Sequence, residues 1–206
     1  MPVTFDLFGT LVEHNPPDDP ATAIARELRE RGVDPPDDWA DAYAEPHVDA
    51  PDGAEVPLHA HVARALDSRG VSVPNNAARR AVTAAFEPTV TARDGSRAAV
   101  ERARDRGSVG LLSNCSVPEL ARRSLLTADL RWRNDDRDPL FDAVVTSLSC
   151  GWRKPDPRAF EAVARQLDCD ASDLTHIGDS VADAGIEAVD GQFIDVRETP
   201  LAALCR

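Results

Sequence analysis

Short apolar runs alternate with amphipathic stretches through the second half of the chain. Ser108–Ser113, Ala143–Thr146, Leu174–Ile177 and Gln192–Val196 are compact, mostly apolar segments flanked by turn-forming residues. Such runs read as buried strands. Between them, Arg97–Arg106, Pro118–Ala128, Arg158–Leu167 and Val181–Val189 carry apolar residues at helical spacing, and Val3–Phe8 adds a strand near the N-terminus. Strand and helix in strict alternation predict an α/β fold, a doubly wound parallel sheet with helices on both faces.

From about residue 13 to 92 the pattern changes. Nothing there reads as a convincing strand. Four helical stretches follow one another, Pro20–Arg31, Asp37–Ala44, Val56–Arg69 and Asn75–Phe86. Asn15-Pro16-Pro17, Asp34-Pro35-Pro36, Pro51-Asp52-Gly53 and Val73-Pro74 break the helical stretches apart. The expectation is an all-helical module, residues 13–92, inserted into a core of residues 1–12 and 93–206. The segment Asp129–Pro139 is polar and reads as a surface loop. In Pro155-Asp156-Pro157, Asp156 suits a helix N-cap and Pro157 the first helical position.

Composition narrows the classes. At 206 residues the chain has room for one α/β domain with an insertion. No stretch approaches the ~18 uninterrupted apolar residues of a membrane-spanning helix. The N-terminus lacks the basic-then-apolar order of a secretory signal. Cys115, Cys150, Cys169 and Cys205 form no CxxC pair and no zinc-type spacing, so reduced thiols in a cytoplasmic protein are expected. The net charge of -13 disfavours nucleic acid and anionic membranes as partners. The acids are 25 Asp and 11 Glu, and the bases are 22 Arg and one Lys, Lys154. An acidic, lysine-poor surface points to adaptation to high salt. Oligomeric state is left open.

Open α/β sheets bind ligands outside the carboxyl ends of their strands. Those ends read Asp6-Leu7-Phe8-Gly9-Thr10, then Ser113-Asn114, then Trp152-Arg153-Lys154-Pro155-Asp156-Pro157, then Gly178-Asp179-Ser180-Val181-Ala182-Asp183. Together they offer carboxylates, hydroxyls and one ammonium. Singly, each residue has an ordinary structural reading. Asp6 can cap a turn, Ser113-Asn114 can form one, and Asp183 suits a first helical turn. Lys154 resists such a reading, because the chain uses Arg for every other base.

In this order the four segments resemble the motifs of the haloacid dehalogenase-like superfamily, and the helical insertion resembles its small helical cap. The resemblance implies Asp6 as nucleophile and Lys154 as its catalytic cation. It implies phosphate binding by Ser113, with Thr10, Asn114 and Lys154 as further candidates. It implies Mg²⁺ held by Asp6, Asp179, Asp183 and the backbone carbonyl of Phe8. The physical logic agrees: a carboxylate attacks phosphorus only if the repulsion between two anions is cancelled, and Mg²⁺ favours oxygen ligands.

One position departs from most phosphatases of the superfamily. Two residues after the nucleophile they carry a second Asp, which protonates the leaving oxygen; here stands Phe8. That help is typically worth ~10²–10⁴-fold. Two branches lack this Asp. Phosphonate-cleaving members use a cap lysine, and residues 13–92 contain no lysine. The 2-haloacid dehalogenases carry Tyr or Phe here, but their fourth motif typically reads Ser-Ser-Asn, whereas this chain has Gly178-Asp179-Ser180. Asp179 beside Asp6 without a metal would be two like charges together. The expected activity is therefore Mg²⁺-dependent hydrolysis of a small phosphorylated metabolite, with 2-haloacid dehalogenation and a weakly active binding module as alternatives. His59 and His61 read as surface or packed rings and His176 as a core residue. Trp152 fits either a pocket wall or packing, and nothing near Cys115 would activate it.

Overall fold

In a computed structural model, residues 1–74, 76–130 and 139–204 are described. Residues 131–138 of the expected surface loop Asp129–Pro139, Asn75 at the start of the fourth expected helix, and Cys205 lie outside the described residues. In chain order the elements are β1 (Val3–Phe5), β2 (Val12–His14), α1 (Pro20–Arg29), α2 (Trp39–Ala44), α3 (Leu58–Asp67), α4 (Ala77–Ala85), β3 (Val90–Ala92), α5 (Ser96–Arg104), β4 (Val109–Ser113), α6 (Leu120–Thr127), β5 (Ala143–Thr146), α7 (Ser147–Cys150), α8 (Pro157–Gln166), β6 (Thr175–Gly178), β7 (Gln192–Asp195) and α9 (Leu201–Leu204).

Five strands make one parallel sheet in the order β5-β4-β1-β6-β7. The first strand is central, so the winding reverses between β1 and β6. At such a point the connections leave in opposite directions and open a crevice at the strand ends. Asp6 follows β1 and Asp179 follows β6, so both acids face that crevice.

The sheet is covered on both faces, which is why all five residues of β4 are buried. Leu111 joins one apolar cluster, with Phe5, Val100 and Leu125, and this cluster continues into Ile24, Leu28, Leu66 and Val82 of the helical segment. Leu112 joins the other, with Val145, Phe160, Val163 and Ile186. Helix α8 starts as the sequence predicts: Asp156 accepts from Arg158 N at 3.0 Å, with Pro157 in the first turn. Asp19 caps α1 in the same way, accepting from Thr22 N at 2.9 Å.

Two expectations are corrected. The span 13–92 does contain strand: β2 and β3 pair antiparallel, His14 opposite Val90 and Val12 opposite Ala92. Each is three residues long, too short for alternation to show. The stretch Val181–Val189 is a 3₁₀ helix over Asp183–Val189 rather than an amphipathic α-helix. Gly185 sits in its middle against Pro155, where an added Cβ would lie 2.5 Å from the proline ring.

Phe160 is fully buried on the α8 face of the sheet and meets the His176 ring edge-on at 5.4 Å. Phe160→Ala is expected to cost about 3–5 kcal/mol of stability through lost burial and the cavity left behind. Urea unfolding followed by circular dichroism would measure it.

Candidate active site

Lys154 is the hub of the crevice. Its side chain is 2 % exposed, and its Nζ donates to Asp6 Oδ1 at 2.7 Å, to the Leu112 carbonyl at 2.8 Å and to Asp183 Oδ1. All three ammonium donors are thereby engaged. The Lys154 backbone is held as firmly. Its N–H donates to Asn114 Oδ1 at 2.8 Å, and its carbonyl accepts from Asn114 Nδ2 at 2.9 Å.

Asp183 binds the next layer. Its Oδ1 accepts from Lys154 and from His176 Nε2 at 2.9 Å, and its Oδ2 from Asp179 N, Ser180 N and Ser180 Oγ. Such closeness requires Gly178, where a Cβ would lie 2.2 Å from the Asp183 carboxyl carbon. His176 is fully buried and its Nδ1 meets Thr4 Oγ1 at 2.8 Å. Burial, then the Lys154 charge, push its pKa down from 6.5 to about 4, against the upward pull of Asp183. The ring is therefore neutral, with Nε2–H donating to Asp183 and Nδ1 accepting from Thr4, a tautomer assigned from the network.

Asp179 is arranged differently. Thr10 Oγ1 donates to its Oδ1 at 3.1 Å, and its other oxygen takes no hydrogen bond from the described residues. Gly9 lets the chain pass close to it: the residue has a φ of +86°, and a Cβ there would lie 2.4 Å from Asp179 Oδ2. Among the described residues, buried Ser113 Oγ has no hydrogen-bond partner, and the Phe8 carbonyl accepts no backbone bond. The Phe8 ring packs against His14, ring centres 4.6 Å apart.

The electrostatics ask for a cation. Asp6, Asp179 and Asp183 present oxygens all within 4.8 Å of one another, and the Lys154 ammonium pairs with two of them, Asp6 and Asp183. Burial pushes the Asp6 carboxyl up, Lys154 pulls it down, and neighbouring Asp183 pushes it up again. Burial also opposes ionisation of Asp183, but the His176 hydrogen bond and the Lys154 charge outweigh it and hold its pKa well below the usual range. An all-oxygen donor set with excess negative charge suits a hard divalent ion such as Mg²⁺.

The structure thus gathers Asp6, Phe8, Thr10, Ser113, Asn114, Lys154, Asp179 and Asp183 around one crevice, with three placements the sequence did not show. Thr10 turns its hydroxyl to Asp179. Asn114 turns its amide to the Lys154 backbone. Asp183, grouped by sequence with the metal-binding acids, has five donors on its two oxygens. His176 does more than fill the core, and a signal existed: Thr4 and His176 are polar residues within buried strands and sit opposite each other in register. Trp152 is packed under the Arg158 guanidinium, 3.2 Å from its ring centre. Burial raises the Cys115 thiol pKa, in keeping with an inert residue. His61 Nε2 bonds the Tyr43 carbonyl at 2.7 Å, while His59 Nδ1 is buried without a partner among the described residues.

A family model described as haloacid dehalogenase-like hydrolase matches residues 3–186. Over 72 residues, 34% of this chain, the sequence is 43% identical to Phosphatase MT3486 of Mycobacterium tuberculosis, and the match spans 30% of that protein. Among solved structures, the wild-type HAD family enzyme of Bacteroides thetaiotaomicron, in complex with magnesium and inorganic phosphate, aligns with a TM-score of 0.59 at 16% identity, covering 94% of this chain and 92% of that one. A 2-haloacid dehalogenase from Pseudomonas syringae pv. Tomato aligns with a TM-score of 0.59 at 18% identity, over 97% and 87%. At such identities the likeness is one of fold. Among the described residues, no helix is long and apolar enough to cross a membrane.

Neutral His176 carries a pH signature. In the unfolded chain it takes a proton below about pH 6.5, but in the folded protein only near pH 4. Its contribution to stability is therefore present above pH 6.5 and is lost as pH falls towards 4, on the order of 3 kcal/mol at most. Urea unfolding at stepped pH should show this slope in the wild type and a shallower one in His176→Asn. Equal slopes would mean that other groups dominate the acid limb.

Proposed function

The chain belongs to the haloacid dehalogenase-like hydrolases, and on that footing we propose a Mg²⁺-dependent phosphatase that acts on a small phosphorylated molecule through an aspartyl-phosphate on Asp6. The observation that carries this reading is Asp179, a carboxylate with one oxygen unclaimed, held beside Asp6. Two acids so close oppose each other's charge unless a cation joins them. The phosphatase relative and the magnesium and phosphate in the Bacteroides enzyme lend support. Asp6, Asp179 and the Phe8 carbonyl would hold the ion; Asp183, with its oxygens engaged, acts behind them by fixing Lys154 and the Gly178–Asp183 turn. When bound, Mg²⁺ cancels the repulsion between nucleophile and phosphate.

The protein's own groups do the rest. Asp6 attacks phosphorus; its new O–P bond forms as the bond to the leaving oxygen breaks. Lys154 stabilises the charge that shifts onto the phosphoryl oxygens, and the unpartnered Ser113 hydroxyl donates to one of them. Thr10 keeps Asp179 turned inward. Water then cleaves the acyl phosphate and frees Asp6. The helical segment serves as a lid that closes the site and selects the substrate. The reading extends to a cytoplasmic protein that binds no nucleic acid.

A second reading, 2-haloacid dehalogenation, has Phe8 in its favour. A screen of phosphorylated metabolites and 2-haloacids in high salt, with Mg²⁺ or with EDTA, separates the two. Phosphate release that EDTA abolishes is expected, with Asp179→Ala weakening Mg²⁺ binding and the nearly isosteric Asp6→Asn inactive but folded. Halide release in EDTA would instead establish the dehalogenase.

Phe8 adds a kinetic signature. A phenyl ring donates no proton, so the rate should depend steeply on the leaving group. p-Nitrophenyl phosphate and acetyl phosphate are expected to be hydrolysed at least ~10²-fold faster than an alkyl or sugar phosphate. Phe8→Asp should narrow that gap by raising the slower rate. A flat dependence in the wild type would mean that another group already supplies the proton.

A further inference from the structure

The chemistry above leaves one buried carboxylate without a task. Glu55 lies on the loop between α2 and α3, and its side chain is 1 % exposed. It accepts from Ser147 Oγ, and Arg153 Nη1 lies 3.3 and 3.2 Å from its two oxygens. Ser147 Oγ itself accepts from the Cys115 backbone N–H at 2.8 Å. A hydroxyl has one proton, and here it goes to Glu55, which leaves a lone pair for Cys115. Cys115 follows Ser113-Asn114, and Arg153 precedes Lys154. One side chain of the helical segment is thus joined to both loops that carry phosphoryl-handling groups.

A plain tether between segment and sheet would not need this carboxylate. Backbone bonds already fasten the loop: Glu55 N to the Gly151 carbonyl at 2.8 Å, Arg153 N to the Gly53 carbonyl at 2.8 Å, and Leu58 N to the Ser116 carbonyl at 3.0 Å. Ala54 also forms an antiparallel bridge with Trp152. Burying an acid on top of these adds a desolvation cost. Asn114 already joins the two loops by its bonds to the Lys154 backbone; what the acid adds is a side-chain link from the helical segment to both of them, through Ser147 and Arg153.

We propose that Glu55 is a positioning residue: docked on the sheet, it ties the helical segment to both the Ser113 loop and the Lys154 loop, and so couples the seating of that segment to the readiness of the phosphoryl site. For its kinetic readout the inference rests on the phosphatase reading. The test uses the full chain with Glu55→Ala, Glu55→Gln, Ser147→Ala and the Glu55→Ala/Ser147→Ala pair. With p-nitrophenyl phosphate and Mg²⁺, Glu55→Ala is expected to lower kcat by about 10²-fold with little change in KM, the scale of a misplaced catalytic group. Glu55→Gln keeps an acceptor for Ser147 and should fall in between. The double variant should be no slower than the slower single one, because both act through one contact. Hydrogen exchange should quicken at residues 113–117 and 151–155 in Glu55→Ala, and not at β7. Ser147→Ala reads the same contact from the sheet side if Glu55→Ala folds poorly. A wild-type kcat in Glu55→Ala, multiplying losses in the pair, or unchanged exchange in both loops would overturn the proposal. A wild type that releases no phosphate from any substrate sinks the phosphatase reading instead, and the exchange measurement then decides the role of Glu55 alone.

Discussion

A single ammonium buried among carboxylates organises this molecule's crevice. Lys154 has no water to solvate it, so its three protons must all find protein acceptors, and they find Asp6, Asp183 and the Leu112 carbonyl. Removing one partner of such a pair leaves an uncompensated charge, typically a loss of about 3–5 kcal/mol. A guanidinium could not stand in, because its planar fork does not match three acceptors arranged around a point. The constraint runs both ways. The acids hold the lysine in place, and the lysine permits acids to sit close together out of water.

The fold supplies what that cluster needs. With β1 central, the end of the first strand lies beside the end of β6, although the two are far apart in sequence. Asp6 and the Gly178–Asp183 turn are brought together by register, and Lys154 reaches in from the loop beyond β5. Polar side chains one layer out then remove the remaining freedom. Asn114 holds the Lys154 backbone at both its polar atoms, neutral His176 orients Asp183, and Thr10 orients Asp179. In the crevice, the buried Ser113 hydroxyl has no hydrogen-bond partner among the described residues. Like the open oxygen of Asp179, that hydroxyl has hydrogen-bonding capacity to spare.

Much of this placement was legible because the candidate residues follow strand ends, and strand ends can be read from apolar runs. Asp6, Ser113, Lys154, Asp179 and Asp183 were found in that way, and so was the parallel sheet. What escaped were the partners that polar side chains find far away in the chain. Thr10 and Asn114 were placed beside the phosphate, yet their partners lie 169 and 40 residues away in the chain. No local pattern encodes such distances. The β2–β3 ribbon escaped for another reason: three-residue strands give no period to detect. Glu55 was not singled out at all, because burial is a property of the fold and not of the loop.

The bases show how differently surface and interior are constrained. Arginine fills 22 of the 23 basic positions, and pairs such as Arg97–Glu101 and Arg102–Asp105 are open to solvent. Each contributes little, and salt weakens it further, so composition there can drift with the medium at small cost to the fold. The Lys154 pairs lie where salt does not reach. Solvent conditions that favour one base over the other act on exposed side chains, while the shape of three buried acceptors acts on this one. The lone lysine is therefore the position at which the requirement of the site prevailed over the habit of the surface.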